Sequence, residues 1–251
     1  MNSTPLKNQV ALINGAGRGP GPLLAESLAR AGASVAAIDV SPILLDPLVE
    51  RVQAAGGQIR TYIGDVSRGM PARALLDEVL TDWERVDVLV NNPRVAPDSP
   101  VLKMDEWDWH HTLEVNLSGP FLLTQFVARL MVEQGGGVIL NLVAADSPDL
   151  HAPGRAAYAV TQAGLLALSQ SAARELIAYN IRTYALCLDD AALQMWPAPD
   201  HSLSGSLAKS LSELALFLCS PAAGGLPGQV FRVEGSEQDS SSQARTASQQ
   251  E

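Results

Sequence analysis

Short apolar runs alternate with longer amphipathic stretches along most of this chain. The runs fall near 10–14, 34–39, 58–63, 86–91, 138–142, 181–187 and 229–233. Their length, their β-branched content and the turn residues beside them predict seven strands. Several are apolar throughout rather than alternating, as expected when helices cover both faces of a sheet. Between them the pattern predicts helices near 21–31, 43–55, 71–83, 106–133, 155–179 and 207–219. Asp105 is placed to cap the long fourth helix. Gly119-Pro120 in its middle should kink it, because proline lacks an N–H and its ring crowds the preceding turn. Strands alternating with crossover helices predict a single α/β domain with a doubly wound, seven-stranded parallel sheet.

The pattern stops near the end of the chain. From Gly235 the sequence is polar and aperiodic, too poor in apolar surface to offset its ordering entropy. The expected division is therefore a Rossmann-type domain over residues 1–234 and a flexible polar tail over 235–251. At 251 residues with 47% apolar content, one substantial core is affordable. The formal charge of −10 and a pI near 4.8 argue against nucleic acid or an anionic membrane as partner. Cys187 and Cys219 are the only cysteines and lack CxxC spacing, so reduced thiols are expected. The opening MNSTPLKNQVAL lacks a signal-peptide pattern, and no apolar stretch of about 18 residues is apparent. The expectation is a soluble, cytoplasmic protein. No His, Cys or carboxylate cluster has metal-ligand spacing, so no metal is expected.

The densest chemistry follows the first strand. In Asn14-Gly15-Ala16-Gly17-Arg18-Gly19-Pro20-Gly21, glycines permit a tight turn and bring backbone N–H groups to a pyrophosphate at a helix N-terminus. Asp39 ends the second strand eighteen residues after Gly21, where a carboxylate accepts bonds from the ribose hydroxyls of NAD and repels the 2′-phosphate of NADP. Gly64-Asp65-Val66 follows the third strand, Asn91-Asn92-Pro93-Arg94 the fourth, Asn141-Leu142-Val143-Ala144-Ala145 the fifth, and Tyr158-Ala159-Val160-Thr161-Gln162 lies on a helix after it.

Taken in order, these motifs resemble the short-chain dehydrogenase/reductase family over residues 7–234. The glycines at 15, 19 and 21 are similar to its TGxxxGxG loop, and Asp65-Val66 to the pair that cradles adenine. Asn91-Asn92 resembles the start of NNAG, and Phe217-Leu218-Cys219-Ser220 with Gly228-Gln229-Val230 resembles its closing pattern. The resemblance implies a dinucleotide held by Gly15, Arg18, Gly19, Gly21, Asp39, Asp65, Val66, Asn91 and Gln162. A basic residue at position 18 often accompanies NADP in the family; Asp39 should dominate, so NAD is expected over NADP. It implies catalytic roles for Tyr158, as acid/base, and for Asn116, which holds the long helix open. It also implies a small-molecule alcohol or ketone substrate, and a homodimer or homotetramer through the long helices, or a mixed assembly with an active relative.

Four departures fall in one half of the implied pocket. The YxxxK lysine is Gln162, which offers hydrogen bonds but no charge. A unit charge about 4 Å away is worth roughly 4 kcal/mol at an effective dielectric of about 20, enough to move a tyrosine by about three pKa units. The family's serine becomes Ala144 when counted from Asn141, or Ala145 when counted from Tyr158. Either way the hydroxyl is gone, and Ser147 is a distant substitute. Arg94 replaces the NNAG glycine; it swings out, binds a phosphate or obstructs the pocket. Leu188-Asp189 stands where the family has Pro-Gly, ahead of a short lid over residues 190–206. Arg94 and Arg155 are candidate replacement cations, while His110, His111 and His151 read as solvated. Two functions follow: a dinucleotide-binding homologue with severely impaired hydride transfer, acting as a partner subunit or sensor, or an active oxidoreductase with a rearranged proton relay.

Overall fold

The computed structural model describes residues 4–144, 148–189, 206–226 and 228–233. The strands β1 (Val10–Asn14), β2 (Ser34–Asp39), β3 (Gln58–Ile63), β4 (Val88–Asn91), β5 (Gly137–Ala144), β6 (Ile181–Leu188) and β7 (Val230–Val233) form one sheet in the order β3-β2-β1-β4-β5-β6-β7. Every neighbouring pair is parallel. The helices are α1 (Gly21–Arg30), α2 (Pro42–Ala54), α3 (Gly69–Trp83), α4 (Glu106–Leu113), α5 (Gly119–Gln134), α6 (Ala156–Leu176) and α7 (Ser206–Cys219). This is the doubly wound Rossmann-type architecture that the sequence predicts, with element ends shifted by one to three residues.

Alternation along each strand divides the core into two layers. Ala11 and Ile13 of β1 and Val35 and Ala37 of β2 pack with Leu24, Leu28 and Leu48 of α1 and α2. Leu12, Ala36 and Ile38 point the other way, against Leu76 and Val79 of α3 and Leu123 and Val127 of α5. Because both faces are covered, these strands carry no polar alternation. The edge strand β3 differs: only Ile59 and Tyr62 are buried, one in each layer of the core. Arg60 and Tyr62 on it both bond Asp82 of α3, the tyrosine hydroxyl donating at 2.7 Å.

Asp105 caps α4 as expected, accepting from the Asp108 N–H at 2.7 Å. The break at Gly119-Pro120 is not a simple kink. The helix widens into a π turn over Glu114–Ser118 immediately before it. Pro120 has no N–H to donate back along the helix, and the π turn absorbs that missing bond. The continuous run Glu106–Gln134 is long and apolar enough to cross a membrane by length and composition. It is interrupted by Asn116, Ser118, Thr124, Gln125 and Arg129, so it holds no uninterrupted apolar stretch of about 18 residues. Its apolar side chains include Leu123, Val127 and Met131, which belong to the core beneath the sheet. Cys187 and Cys219 are both buried thiols, and burial pushes the Cys219 thiol up to about 12.

Candidate functional site

The sheet order reverses between β1 and β4: the chain works outward from β1 to β3, then crosses to β4 and continues the other way. Asn14 and Asn91, the last residues of β1 and β4, are register partners, so the loops after them diverge and leave a crevice at the carboxyl ends of the strands. Gly15 sits there with φ +76°, and a Cβ on it would lie 2.2 Å from the Asn92 carbonyl oxygen. A Cβ on Gly21 would lie 2.3 Å from the Gly15 carbonyl oxygen. Gly19, at φ +48°, completes the turn. The Asn92 side-chain amide donates to the carbonyls of Gly15 and Arg18, each at 2.8 Å, and so fastens one loop to the other. No side chain caps α1, but the Gly21 N–H donates to the Arg18 carbonyl at 2.9 Å and Pro22 has no N–H, so few first-turn donors remain for an anion.

Beside this loop lies a cleft of about 250 Å³. One wall is Asn14, Gly15, Arg18 and Asp39; the floor is Gly64, Asp65, Val66 and Ser67; the far end is Arg94, Val95, His111 and Val115. The buried Asp39 carboxylate accepts from the N–H groups of Gly17 at 3.1 Å and Ser41 at 3.3 Å, with Arg18 Nε 3.7 Å away. Asp65 turns its own loop by accepting from the Ser67 N–H at 2.8 Å. Asn14 is buried, and its Nδ2 makes no hydrogen bond in the structure. A buried donor left unmade costs roughly 1–3 kcal/mol, which an acceptor in the cleft would recover.

A second group lies deeper, between β5, the π turn and α6. Asn116 accepts from the Val95 N–H at 2.8 Å and donates to the Val95 carbonyl at 2.7 Å and Thr161 Oγ1 at 3.2 Å. The Thr161 hydroxyl donates in turn to the Tyr158 carbonyl at 2.7 Å. Tyr158 is only 1% exposed, and the guanidinium carbons of Arg94 and Arg155 each lie 5.4 Å from its ring centroid. Gln162, 3% exposed, accepts through Oε1 from the Ala144 N–H at 2.8 Å. Positions 162 and 144 are thus joined directly across the gap between α6 and the end of β5.

Gly15, Arg18, Asp39, Asp65 and Val66 therefore meet around the cleft, with Gly19 and Gly21 shaping the turn behind it. Asn116, Tyr158 and Gln162 form the deeper group, and Arg94 touches both. Asn91 joins neither. Its amide donates to Asn141 Oδ1 at 2.8 Å and Thr124 Oγ1 at 3.4 Å inside the sheet, and Asn141 donates on to Ser169 Oγ at 2.9 Å. The residue that faces the cleft is its neighbour Asn92. The sequence reading also missed Asn14 as a lining residue and placed His111 in solvent, though His111 lines the far end of the cleft. The spacing of the glycine loop carried a signal for Asn14; nothing local marked His111. Ala145, Ser147, residues 190–205 and the expected tail lie outside the described residues. Among the described residues no group of three or more His, Cys, Asp or Glu could hold a metal.

The short chain dehydrogenase family model matches residues 9–197 of this chain. The chain belongs to the short-chain dehydrogenase/reductase family. It is 32% identical over 241 residues to the 3-oxoacyl-[acyl-carrier-protein] reductase FabG of Thermotoga maritima, covering 92% of this chain and 98% of that one. A solved 7α-hydroxysteroid dehydrogenase, complexed with NADH and 7-oxo glycochenodeoxycholic acid, superposes with a TM-score of 0.80 at 30% identity, over 94% of this chain and 96% of the other. A gluconate 5-dehydrogenase from Burkholderia cenocepacia, complexed with NADP and tartrate, superposes with a TM-score of 0.79 at 28% identity, over 95% and 98%. As a member of this family the chain is a homologue of NAD(P)-dependent oxidoreductases.

Proposed function

We propose that this short-chain dehydrogenase/reductase homologue binds NAD(H) but transfers hydride poorly, and that it acts in the cytoplasm as a partner subunit or sensor. The hydrogen bond from the Ala144 N–H to Gln162 Oε1 carries this reading. At the two positions where the family resemblance calls for a serine hydroxyl and a lysine cation, the side chains present are a methyl group and a neutral amide, and that amide is engaged by the backbone. Losing about 4 kcal/mol from the charge and about 3 from the hydroxyl would slow the chemistry roughly 10⁵-fold if the two were independent. Groups acting as one unit do not add, so the loss is an upper figure.

The cleft suits the cofactor at one end. Asn14 Nδ2 supplies an unsatisfied donor, and Asp39 a carboxylate for ribose hydroxyls. When bound, the nicotinamide would supply the hydride. Asp39, buried and charged, favours NAD over NADP despite Arg18. A second reading rests on Arg94 and Arg155, whose guanidinium groups flank Tyr158 and could supply the positive charge that Gln162 lacks. The chain would then be an active oxidoreductase on a secondary alcohol or ketone.

Titration with NADH and NADPH, followed by a turnover screen of wild type and of Gln162→Lys combined with Ala144→Ser or Ala145→Ser, separates the two. The first reading expects NADH to bind about tenfold tighter than NADPH, with turnover appearing only in the double variants. Wild-type turnover that vanishes in Tyr158→Phe and falls in Arg155→Ala would establish the second reading instead.

A further inference from the structure

Arg94 lines the cleft together with Val95, His111 and Val115. The lining runs from Asn14 and Asp39 to Arg94 and stops short of Tyr158, Asn116 and Gln162. Arg94 also lines a second cavity, on the side of Ala96, Asp98 and Arg155, so it stands between the two spaces as a partition. Its guanidinium lies over the ring of Tyr158, which is shut from solvent. The cleft holds about 250 Å³, just below the roughly 300–1,000 Å³ of sites for small ligands. What the cleft does hold is specific to a nucleoside diphosphate. Its lining has the Asp39 carboxylate, Arg18 and Arg94 as cations, and the unsatisfied Asn14 Nδ2.

We propose that this site recognises an adenosine diphosphate unit alone, with Arg94 meeting the second phosphate and closing the path to Tyr158. This rests on the dinucleotide reading above and refines it. NAD(H) is held by its ADP half, its nicotinamide half adds nothing, and free ADP competes on equal terms. Binding energy comes from contacts that only the ADP half can make, so removing the other half costs little.

Calorimetric titration of the full chain with ADP and with NADH tests this, with Arg94→Gly and Arg94→Ala as variants. In wild type the two ligands should bind within about threefold of each other. NADH bound at least about tenfold tighter than ADP would overturn the proposal while leaving the dinucleotide reading intact. Failure of both ligands to bind would remove that reading and this one with it. In either variant the partition is gone, so NADH should gain about tenfold over ADP. An unchanged ratio in variants whose melting is normal would show that Arg94 is no barrier. ADP binding without any NADH binding would overturn the claim that NAD(H) is held by its ADP half.

Discussion

Gly15 is constrained twice, by its backbone and by its neighbour. Its φ of +76° suits glycine, and a Cβ would meet the Asn92 carbonyl oxygen at 2.2 Å. Gly56 provides the control, with φ +78° and nothing within 4 Å of a built Cβ. Gly56→Ala should therefore cost only backbone strain, about 1 kcal/mol. Gly15→Ala should cost about 2–4 kcal/mol, because Asn92 and the loop it fastens must also move. Urea unfolding of both variants checks this, and equal losses would mean the Asn92 contact relaxes freely. Residue identities in the cleft were legible in the sequence because Gly15, Asp39 and Asp65 each end a strand and begin a turn. The partner of each was not. Asn91 and Asn92 are adjacent in sequence but face opposite ways, and only the register of β4 beside β1 and β5 decides which one sees the cleft.

At the scale of elements, the long helix shows the same limit. Its N-cap and its disruption near Pro120 could be read from residue chemistry, and Asp105 and the π turn answer to both. That the widened turn presents Asn116 to Val95 and Thr161 could not, since those bonds span 21 and 45 residues of chain. Asn116→Ala would leave both backbone polar groups of Val95 without their partner. We expect it to destabilise the fold by about 2–4 kcal/mol and to loosen the loop that carries Arg94. A loss below about 0.5 kcal/mol in urea unfolding would show that water replaces the clamp at little cost.

For the whole molecule, the doubly wound parallel sheet was legible because parallel strands with crossover helices admit few arrangements. Assembly is a different matter, since a groove is a property of packed helices and not of a run of residues. Phe121, Gln125, Val132, Leu168 and Leu176 line a hollow between α5 and α6, and Phe121 and Val132 are substantially exposed. The family resemblance implies a dimer or tetramer through these helices, and a face of that kind typically buries at least about 1,200 Å² when it pairs stably. Light scattering should find wild type above monomer mass at micromolar concentration, and Phe121→Asp with Val132→Asp should reduce it to a monomer with little change in melting. A monomeric wild type would rule the interface out.

The bond from the Ala144 N–H to Gln162 has a consequence for redesign. An ammonium group can donate but cannot accept, so Gln162→Lys would strand the Ala144 N–H and set a cation against its positive end. Ala144→Ser leaves that bond in place but adds a hydroxyl at a position only 1% exposed. Gln162 is the acceptor that closes the end of β5, and a lysine there needs another group to take over that task.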